Sequence, residues 1–151
     1  MDTQNLNQTG IHADELGTLG VEACKARLLA DHLDSHELGR LGEQICHAWL
    51  IERHWHVLDR NWHCRFGELD IIALTPHGTI AFIEVKTRRS TLYGLPEEAV
   101  HASKQVKIRR SAVQWLMSAG KGIRHIGVRF DVIAVTVDKA DVRIHHIPEA
   151  F

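Results

Sequence analysis

Two apolar runs decide the fold of this chain: Leu69-Asp70-Ile71-Ile72-Ala73-Leu74 and Ile80-Ala81-Phe82-Ile83-Glu84-Val85-Lys86. Residues 75–79 between them include a proline and a glycine, so the simplest interpretation is an antiparallel hairpin in which Leu74 pairs with Ile80. Extending that register places Asp70 directly across from Glu84, with Cβ atoms about 4.5–5.5 Å apart. The hairpin therefore predicts two carboxylates at one point of a sheet.

Side chains alternate between the two faces of a strand, which sorts the hairpin residues into two sets. One face carries the charges: Asp70, Ile72, Leu74, Ile80, Phe82, Glu84 and Lys86. The other face is apolar: Leu69, Ile71, Ala73, Ala81, Ile83 and Val85. Charges in strands that otherwise look buried usually pair, bind metal or do chemistry, because desolvating an unpaired charge costs several kcal/mol. The spacing favours a metal site that depends on the register, and the alternative is a buried structural cluster of ion pairs.

Composition indicates one compact globular protein. The 151 residues, 44% of them hydrophobic, suffice for a sizeable core. No apolar run reaches the roughly 18 residues of a membrane span, and residues 1–5 lack the features of a signal peptide. We therefore expect a cytoplasmic protein without a membrane partner. Cys24, Cys46 and Cys64 show no Cys-x-x-Cys spacing, which favours reduced thiols packed as small hydrophobes.

The charges are unevenly distributed, although the net charge is only −1. Residues 1–35 carry six acids and two bases, whereas residues 60–129 are rich in lysine and arginine. Three of the five acids in that second segment lie in or near the predicted site. A basic surround with an acidic, metal-binding centre suits a phosphodiester substrate. The alternative is an ordinary solvated charged surface.

The chain divides at about residue 35. Residues 1–35 are predicted to form an extension, partly disordered, with one helix from Asp14 to His32, and residues 36–151 to form the main domain. Within that domain the patterns predict a helix, three strands, a helix and two strands. The predicted bounds outside the hairpin are His36–Arg53 for the helix, Trp55–Trp62 for an edge strand, a helix ending before Gly120, and strands Arg129–Val135 and Val142–Ile147.

Each of the two helices of the main domain carries one charged residue that its apolar stripe leaves unexplained. In the first helix Glu43 lies off the stripe, beside Gly39 and Gly42, which let a backbone or a phosphate come close. A plain solvent-facing glutamate is the alternative. In the second helix Arg109 falls within the stripe, where it must snorkel, pair with a carboxylate or reach a ligand. The predicted stripe of that helix is Ala102, Val106, Val113, Leu116 and Met117.

Five motifs occur in order along the chain: Leu38-Gly39-Arg40-Leu41-Gly42-Glu43, Arg60-Asn61-Trp62, Phe66–Ala73, Phe82–Arg88 and Arg129-Phe130-Asp131-Val132. Together they resemble the YraN family of uncharacterised bacterial proteins, over roughly His36 to the C-terminus. That family is placed in the restriction-endonuclease-like superfamily, and its pattern is similar to that of archaeal Holliday-junction resolvases. The resemblance implies an α/β fold with a restriction-endonuclease-like core, in which helices flank a mixed central sheet.

The resemblance also implies a function, that of a Mg²⁺- or Mn²⁺-dependent endonuclease that hydrolyses phosphodiester bonds in nucleic acid, chiefly structured or branched DNA. The metal-binding aspartate of the superfamily falls on Asp70, its second carboxylate on Glu84, its lysine on Lys86 and its helix glutamate on Glu43. Carboxylate oxygens are ligands that these hard cations prefer. Lys86 would orient or deprotonate the attacking water, or stabilise the charge of the transition state, and the sequence leaves both roles open.

Several basic residues flank the site in sequence. The candidate phosphate contacts are Arg65, Arg88, Arg89 and Lys104, with ordinary solvated side chains as the alternative. Glu68 is either an outer metal ligand or a surface charge. A homodimer stays open, because cutting two strands favours two-fold symmetry but no stripe indicates an interface.

Two other functions compete with the nuclease. A non-catalytic nucleic-acid-binding module of the same fold would more often have lost a ligand, whereas Glu84-Val85-Lys86 is intact. A zinc or redox protein is suggested by the 12 histidines. The residues that cluster near the first strand are His54, His56, His63 and Cys64, and they lack a recognised ligand spacing.

Overall fold

The computed structural model describes residues 20–30, 32–89 and 100–151. These residues form three helices, α1 (Val21–Leu28), α2 (Ser35–Glu52) and α3 (Ala102–Met117), and five strands, β1 (His56–Cys64), β2 (Gly67–Leu74), β3 (Thr79–Arg88), β4 (Gly127–Val137) and β5 (Val142–Ile147). The five strands form one sheet in the order β1-β2-β3-β4-β5. The predicted order of helix, three strands, helix and two strands is confirmed.

The sheet is mixed. Strands β1, β2 and β3 form an antiparallel meander, β4 lies parallel to β3, and β5 returns antiparallel to β4. Parallel neighbours need a crossover connection, and α3 stands in the chain between β3 and β4. This is an α/β arrangement with the features of a restriction-endonuclease-like core, as the sequence predicted.

The predicted hairpin register is confirmed. Leu74 pairs with Ile80, and the register continues to Ile71 opposite Ile83. Gly78 in the turn has φ 92°, a conformation that glycine adopts without a steric cost. Because side chains alternate along each strand, this register fixes which hairpin residues meet each helix layer.

Helices cover both faces of the sheet, and each face has its own apolar cluster. The cluster beneath α1 and α2 includes Leu28, Leu41, Ile45, Ile71, Ile83, Ile133 and Val135. The cluster beneath α3 includes Leu69, Ile72, Phe82, Ile108, Ala112, Trp115 and Val132. The capping box of Asp34 and Glu37 starts α2, since each side chain accepts a backbone N–H from the other residue.

Leu69 lies on the face opposite to the predicted one. It packs with Ile72 beneath α3, whereas Ile71 packs beneath α2. Asn61, whose two neighbours in β1 pair with Ile71 and Leu69, has φ 48°. A residue in the left-handed region interrupts the regular pleat, so strict alternation fails at the level of Asp70.

The predicted apolar stripe of α3 is wrong except at Leu116, which packs against the cluster beneath this helix. Val106, Val113 and Met117 are 48%, 53% and 69% exposed, and the helix instead buries Ile108, Ser111, Ala112 and Trp115. The indole explains this rotation, because it is the largest apolar group of the helix and finds a polar partner as well. Its Nε1–H donates to Asp59 Oδ2 at 3.0 Å.

Of the three alternatives predicted for Arg109, the structure shows snorkelling, in which the charged end of the side chain reaches the surface. Its side chain is exposed, and the guanidinium lies 4.6 Å from the ring centroid of Phe130 and 5.6 Å from that of Phe151. The charge therefore remains at the surface while the stem covers aromatic carbon.

The N-terminal helix is shorter than predicted. Helix α1 begins at Val21 and ends at Leu28, whereas the prediction extended from Asp14 to His32. Cys24 and Leu28 are fully buried in the cluster shared with α2. The polar stretch predicted to be disordered and residues 14–19 of the predicted helix lie outside the described residues, and the division at residue 35 stays a prediction. None of the helices in the described ranges is long and apolar enough to cross a membrane.

Gly42 sets the approach of α2 to the end of β3. A Cβ at this position would overlap the hydroxyl of Thr87, the residue that follows Lys86.

We predict that Gly42→Ala lowers the free energy of unfolding by about 1–3 kcal/mol, because overpacking forces the two elements apart. Gly39→Ala in the same helix is the matched control. Its added Cβ meets nothing within 4 Å, so it should be neutral or stabilising by about 0.5–1 kcal/mol. Denaturant unfolding measures both variants, and equal stabilities would contradict this contact.

Candidate functional site

Asp70 is a buried carboxyl group near the start of β2. Its side chain is within hydrogen-bonding reach of Glu84, and Oδ2 accepts the backbone N–H of Val85 at 2.9 Å. The residue is only 8% exposed. Burial, followed by the charges of Glu84 and Glu43, raises the pKa of Asp70 to about 8, against the opposing hydrogen bond from Val85. At neutral pH Asp70 therefore retains a proton.

Glu84 is 5% exposed and is contacted by two lysines. Lys86 Nζ lies 3.4 Å from Oε1, and Lys104 Nζ contacts the same oxygen. Lys86 comes from the same strand, whereas Lys104 belongs to the first turn of α3 and arrives by the crossover connection. The predicted triad of Asp70, Glu84 and Lys86 is thus assembled, with a second lysine that the sequence did not assign to this position.

The two lysines are electrostatically different. Burial lowers the pKa of Lys86, and the adjacent Lys104 ammonium lowers it further, against the charge of Glu84. Burial also disfavours the charge of Lys104, but its hydrogen bond to Glu84 and that carboxylate's charge raise the pKa of Lys104 above its ordinary value. Lys104 is therefore the firmly charged partner of Glu84, and Lys86 is the amine that releases a proton more readily.

Glu43 occupies the neighbouring groove. Burial raises the pKa of Glu43, while a hydrogen bond with Asn61 opposes the rise. The groove has a volume of about 490 Å³. Its lining comprises Ser35, His36, Gly39, Arg40, Glu43, Asn61 and Glu68. Glu43 is thus partly accessible beside the carboxylate pair, where its charge acts on Asp70.

The donor set fits a hard divalent cation at two carboxylates rather than three. Within residues 20–30, 32–89 and 100–151, no three His, Cys, Asp or Glu side chains converge as ligands of one ion. Glu43 is therefore not gathered with Asp70 and Glu84 into a compact set. Those two residues could supply oxygen ligands in a buried place, and the proton on Asp70 is the charge that a cation would replace.

The sequence also suggested a metal site in a histidine cluster near β1. The residues involved are His54, His56, His63 and Cys64, and they form no three-ligand group in the described part of the chain. His63 Nδ1 lies 3.5 Å from the Glu68 carboxylate instead. Glu68 itself is exposed at the rim of the Glu43 groove, which places it beside the site rather than within it.

The four predicted phosphate contacts lie at different places. Lys104 contacts Glu84, and Arg65 is exposed in the turn between β1 and β2. Arg88 is the last residue of β3, and Arg89 donates from Nη2 to the carbonyl of Leu33 at 3.4 Å. Arg89 thus ties the end of β3 to the segment before α2.

A second buried charge network lies around Asp131, which is fully buried. Its Oδ2 accepts hydrogen bonds from Arg129 at 3.1 Å and contacts His146 Nε2 at 2.7 Å, and its Oδ1 accepts the backbone N–H of Glu149 at 3.1 Å. These contacts join β4 to β5 and to the C-terminal residues. Asp131 therefore has a structural explanation that the sequence motif alone did not indicate.

Asp70 should make the stability of the protein pH-dependent. Its pKa is about 8 in the folded protein against an ordinary 3.8, so the folded protein holds a proton that the unfolded chain releases between these values. Stability then falls as the pH rises from about 4 to about 8. Asn is neutral at every pH and can accept the Val85 N–H. We predict that Asp70→Asn raises Tm increasingly over this range, by several degrees at pH 8.5, since about 1 kcal/mol corresponds to about 2–8 °C in domains of this size.

Thermal unfolding at pH 5 and pH 8.5 measures this difference. Asp138 is the control, because its exposed carboxylate has a pKa lowered by the N–H groups of Ala140 and Asp141. Asp138→Asn should give no stabilisation that grows with pH. A Tm difference for Asp70→Asn that is the same at both pH values would show that Asp70 is ionised throughout.

Comparison with known proteins places the chain in a family. The family model described as "Uncharacterised protein family UPF0102" matches residues 42–135. A UPF0102 protein of Bifidobacterium longum subsp. infantis is 46% identical over 103 residues, which cover 68% of this chain and 83% of the relative. A UPF0102 protein of Trichlorobacter lovleyi is 44% identical over 104 residues, 68% of this chain and 80% of the relative. The matched region contains Glu43, Asp70, Glu84 and Lys86. The chain belongs to the uncharacterised protein family UPF0102, the YraN family that its motifs resemble.

Proposed function

We propose that this protein is a metal-dependent endonuclease that hydrolyses phosphodiester bonds in structured or branched DNA. The observation that carries the proposal is the buried Asp70–Glu84 pair, in which both Lys86 and Lys104 contact the Glu84 carboxylate. The charge of Glu84 opposes the ionisation of Asp70, and strongly perturbed groups of this kind concentrate at functional sites.

The chain's own residues divide the work at a scissile phosphate. Asp70 and Glu84 would hold Mg²⁺ or Mn²⁺, with Glu43 acting through water or toward a second ion. Such an ion supplies positive charge for the phosphate oxygens and lowers the pKa of bound water. The Val85 N–H fixes the Asp70 carboxylate, so its orientation is set by backbone before any substrate arrives.

Lys86 and Lys104 have separate parts in this proposal. Lys86, whose pKa is lowered by burial and by Lys104, is suited to accept the proton of the attacking water. Lys104 remains charged against Glu84 and would stabilise negative charge that develops on the phosphate. The sequence left both roles open for Lys86, and the presence of a second lysine supports assigning one role to each.

A non-catalytic nucleic-acid-binding module is the second candidate. Two observations favour it: Glu84 is already contacted by two lysines, and the described residues gather no three-ligand metal group. In such a module the buried acids and amines would form a structural ion-pair cluster, and the surrounding bases would bind DNA without turnover.

Cleavage of a labelled DNA panel tests the two candidates. The panel contains single-stranded, duplex, flap and four-way-junction DNA, each incubated with Mg²⁺, with Mn²⁺ or with EDTA. We predict metal-dependent cleavage of a structured substrate that falls by at least about 100-fold in Asp70→Ala and in Lys86→Ala, since a general acid–base group alone contributes about 10²–10⁴-fold. Lys139→Ala, which removes an exposed lysine, should cleave like the wild type.

Variants that keep the positive charge separate the roles of the two lysines. If Lys86 accepts a proton, Lys86→Arg should remain inactive, because arginine stays protonated. Lys104→Arg should retain most activity, because it keeps the charge. Binding of one substrate without cleavage, unchanged by Asp70→Ala, would support the binding module and reject the nuclease.

A further inference from the structure

One side of α3 carries cations at regular intervals. Lys104, Lys107 and Arg110 follow one another every three residues, and all three are exposed. Residues three apart on a helix are surface neighbours, and a rise of 1.5 Å per residue separates Lys104 from Arg110 by about 9 Å along the axis. The three side chains thus form a short row that starts at Glu84, which Lys104 contacts.

The far end of this row meets the turn between β1 and β2. The Arg110 guanidinium lies 5.9 Å from the ring centroid of Phe66, and the Arg65 guanidinium lies 4.7 Å from the same centroid. Arg65 therefore continues the row from the helix to the turn. We call these four residues, Lys104, Lys107, Arg110 and Arg65, the cation row.

A groove runs between the cation row and the start of β2. It has a volume of about 270 Å³ and is lined by Gly67, Glu68, Ser103, Lys104, Lys107 and Ile108. Glu68 also lines the groove that contains Glu43, so this residue borders both depressions.

The chemistry of the cation row fits phosphate groups better than bases. Phe66 is half-buried, and both guanidinium groups lie over its ring, so the ring supports the arginines. Aromatic contact restrains the two long side chains and reduces the entropy lost when they bind an anion. Successive phosphates of a DNA strand form a regular line of negative charge, with one phosphate per about 3.4 Å of duplex axis, and a row of cations can neutralise several neighbouring members of that line.

We propose that the cation row binds consecutive phosphates of one DNA strand and leads that strand to the carboxylate pair, without reading its sequence. The inference rests on the proposed function, since it concerns the nucleic acid that the same site would cut. The inference adds Lys107 and Arg110, which lie in none of the five sequence motifs, to the residues that would contact DNA. It also places Arg65 at the end of the cation row.

Binding without cleavage tests the cation row. Fluorescence anisotropy with a labelled duplex and a labelled single strand, in EDTA, gives Kd over a series of salt concentrations. We expect Lys107→Ala/Arg110→Ala to weaken binding at least about fivefold at low salt. Its plot of log Kd against log salt concentration should be shallower by about 1 for each phosphate contact removed. Changing the base sequence of the duplex should alter Kd less than twofold.

The control is Lys121→Ala/Arg124→Ala, which removes the same charge at exposed positions beyond the end of α3. It should bind like the wild type, with an unchanged slope. Equal weakening by the two double variants would overturn the cation row, because it would show that only net charge matters. Absence of binding by the wild type would overturn it too. Both double variants change only exposed residues, and a thermal unfolding transition like that of the wild type would show that they fold.

The outcome can be distinguished from a failure of the nuclease proposal. Suppose that the wild type cleaves no DNA, but Lys107→Ala/Arg110→Ala binds DNA more weakly and with a shallower salt slope. This result would support the cation row as a phosphate-binding site and refute the nuclease proposal. If the wild type cleaves DNA and that variant binds as the wild type does, the nuclease stands and the cation row is refuted.

Discussion

The closeness of two carboxyl groups in a buried place is the constraint on which this structure depends. Asp70 and Glu84 sit near the point where the β2–β3 pairing ends, and the Asp70 side chain accepts the Val85 N–H there. Like charges in a medium of low polarity oppose each other's ionisation, so Asp70 retains a proton, while Lys86 and Lys104 contact the Glu84 carboxylate. A shift of one residue in the hairpin would separate the pair.

The surrounding fold brings other charged side chains close to Asp70 and Glu84. The parallel addition of β4 needs a crossover, and the helix of that crossover brings Lys104 to Glu84. On the opposite face, Gly42 lets α2 approach Thr87 closely, which brings Glu43 within electrostatic reach of the pair. The two helix layers that close the core thus also deliver charged groups to one end of the hairpin, so packing and chemistry depend on the same contacts.

Sequence patterns were sufficient for the hairpin, the order of elements and the meeting of Asp70 with Glu84, because a period of two and a short turn determine a register locally. The predictions failed where a contact between residues far apart in sequence determines which side chains are buried. The rotation of α3 depends on Trp115 reaching Asp59, and the reversal of Leu69 depends on the backbone of Asn61 in the neighbouring strand. Lys104 was placed among peripheral phosphate contacts, since its approach to Glu84 follows from the crossover and from no local motif.

The measurement that tests the central claim most directly is a calorimetric titration with Mn²⁺ at pH 7 in buffers of different ionisation enthalpy. Such a titration counts the protons released as the ion binds. If a divalent cation replaces the proton held by Asp70 and Glu84, the wild type should release about one proton per ion, and Asp70→Asn should bind Mn²⁺ weakly and release none. Absence of Mn²⁺ binding by the wild type, or binding that releases no proton and persists in Asp70→Asn, would contradict the account.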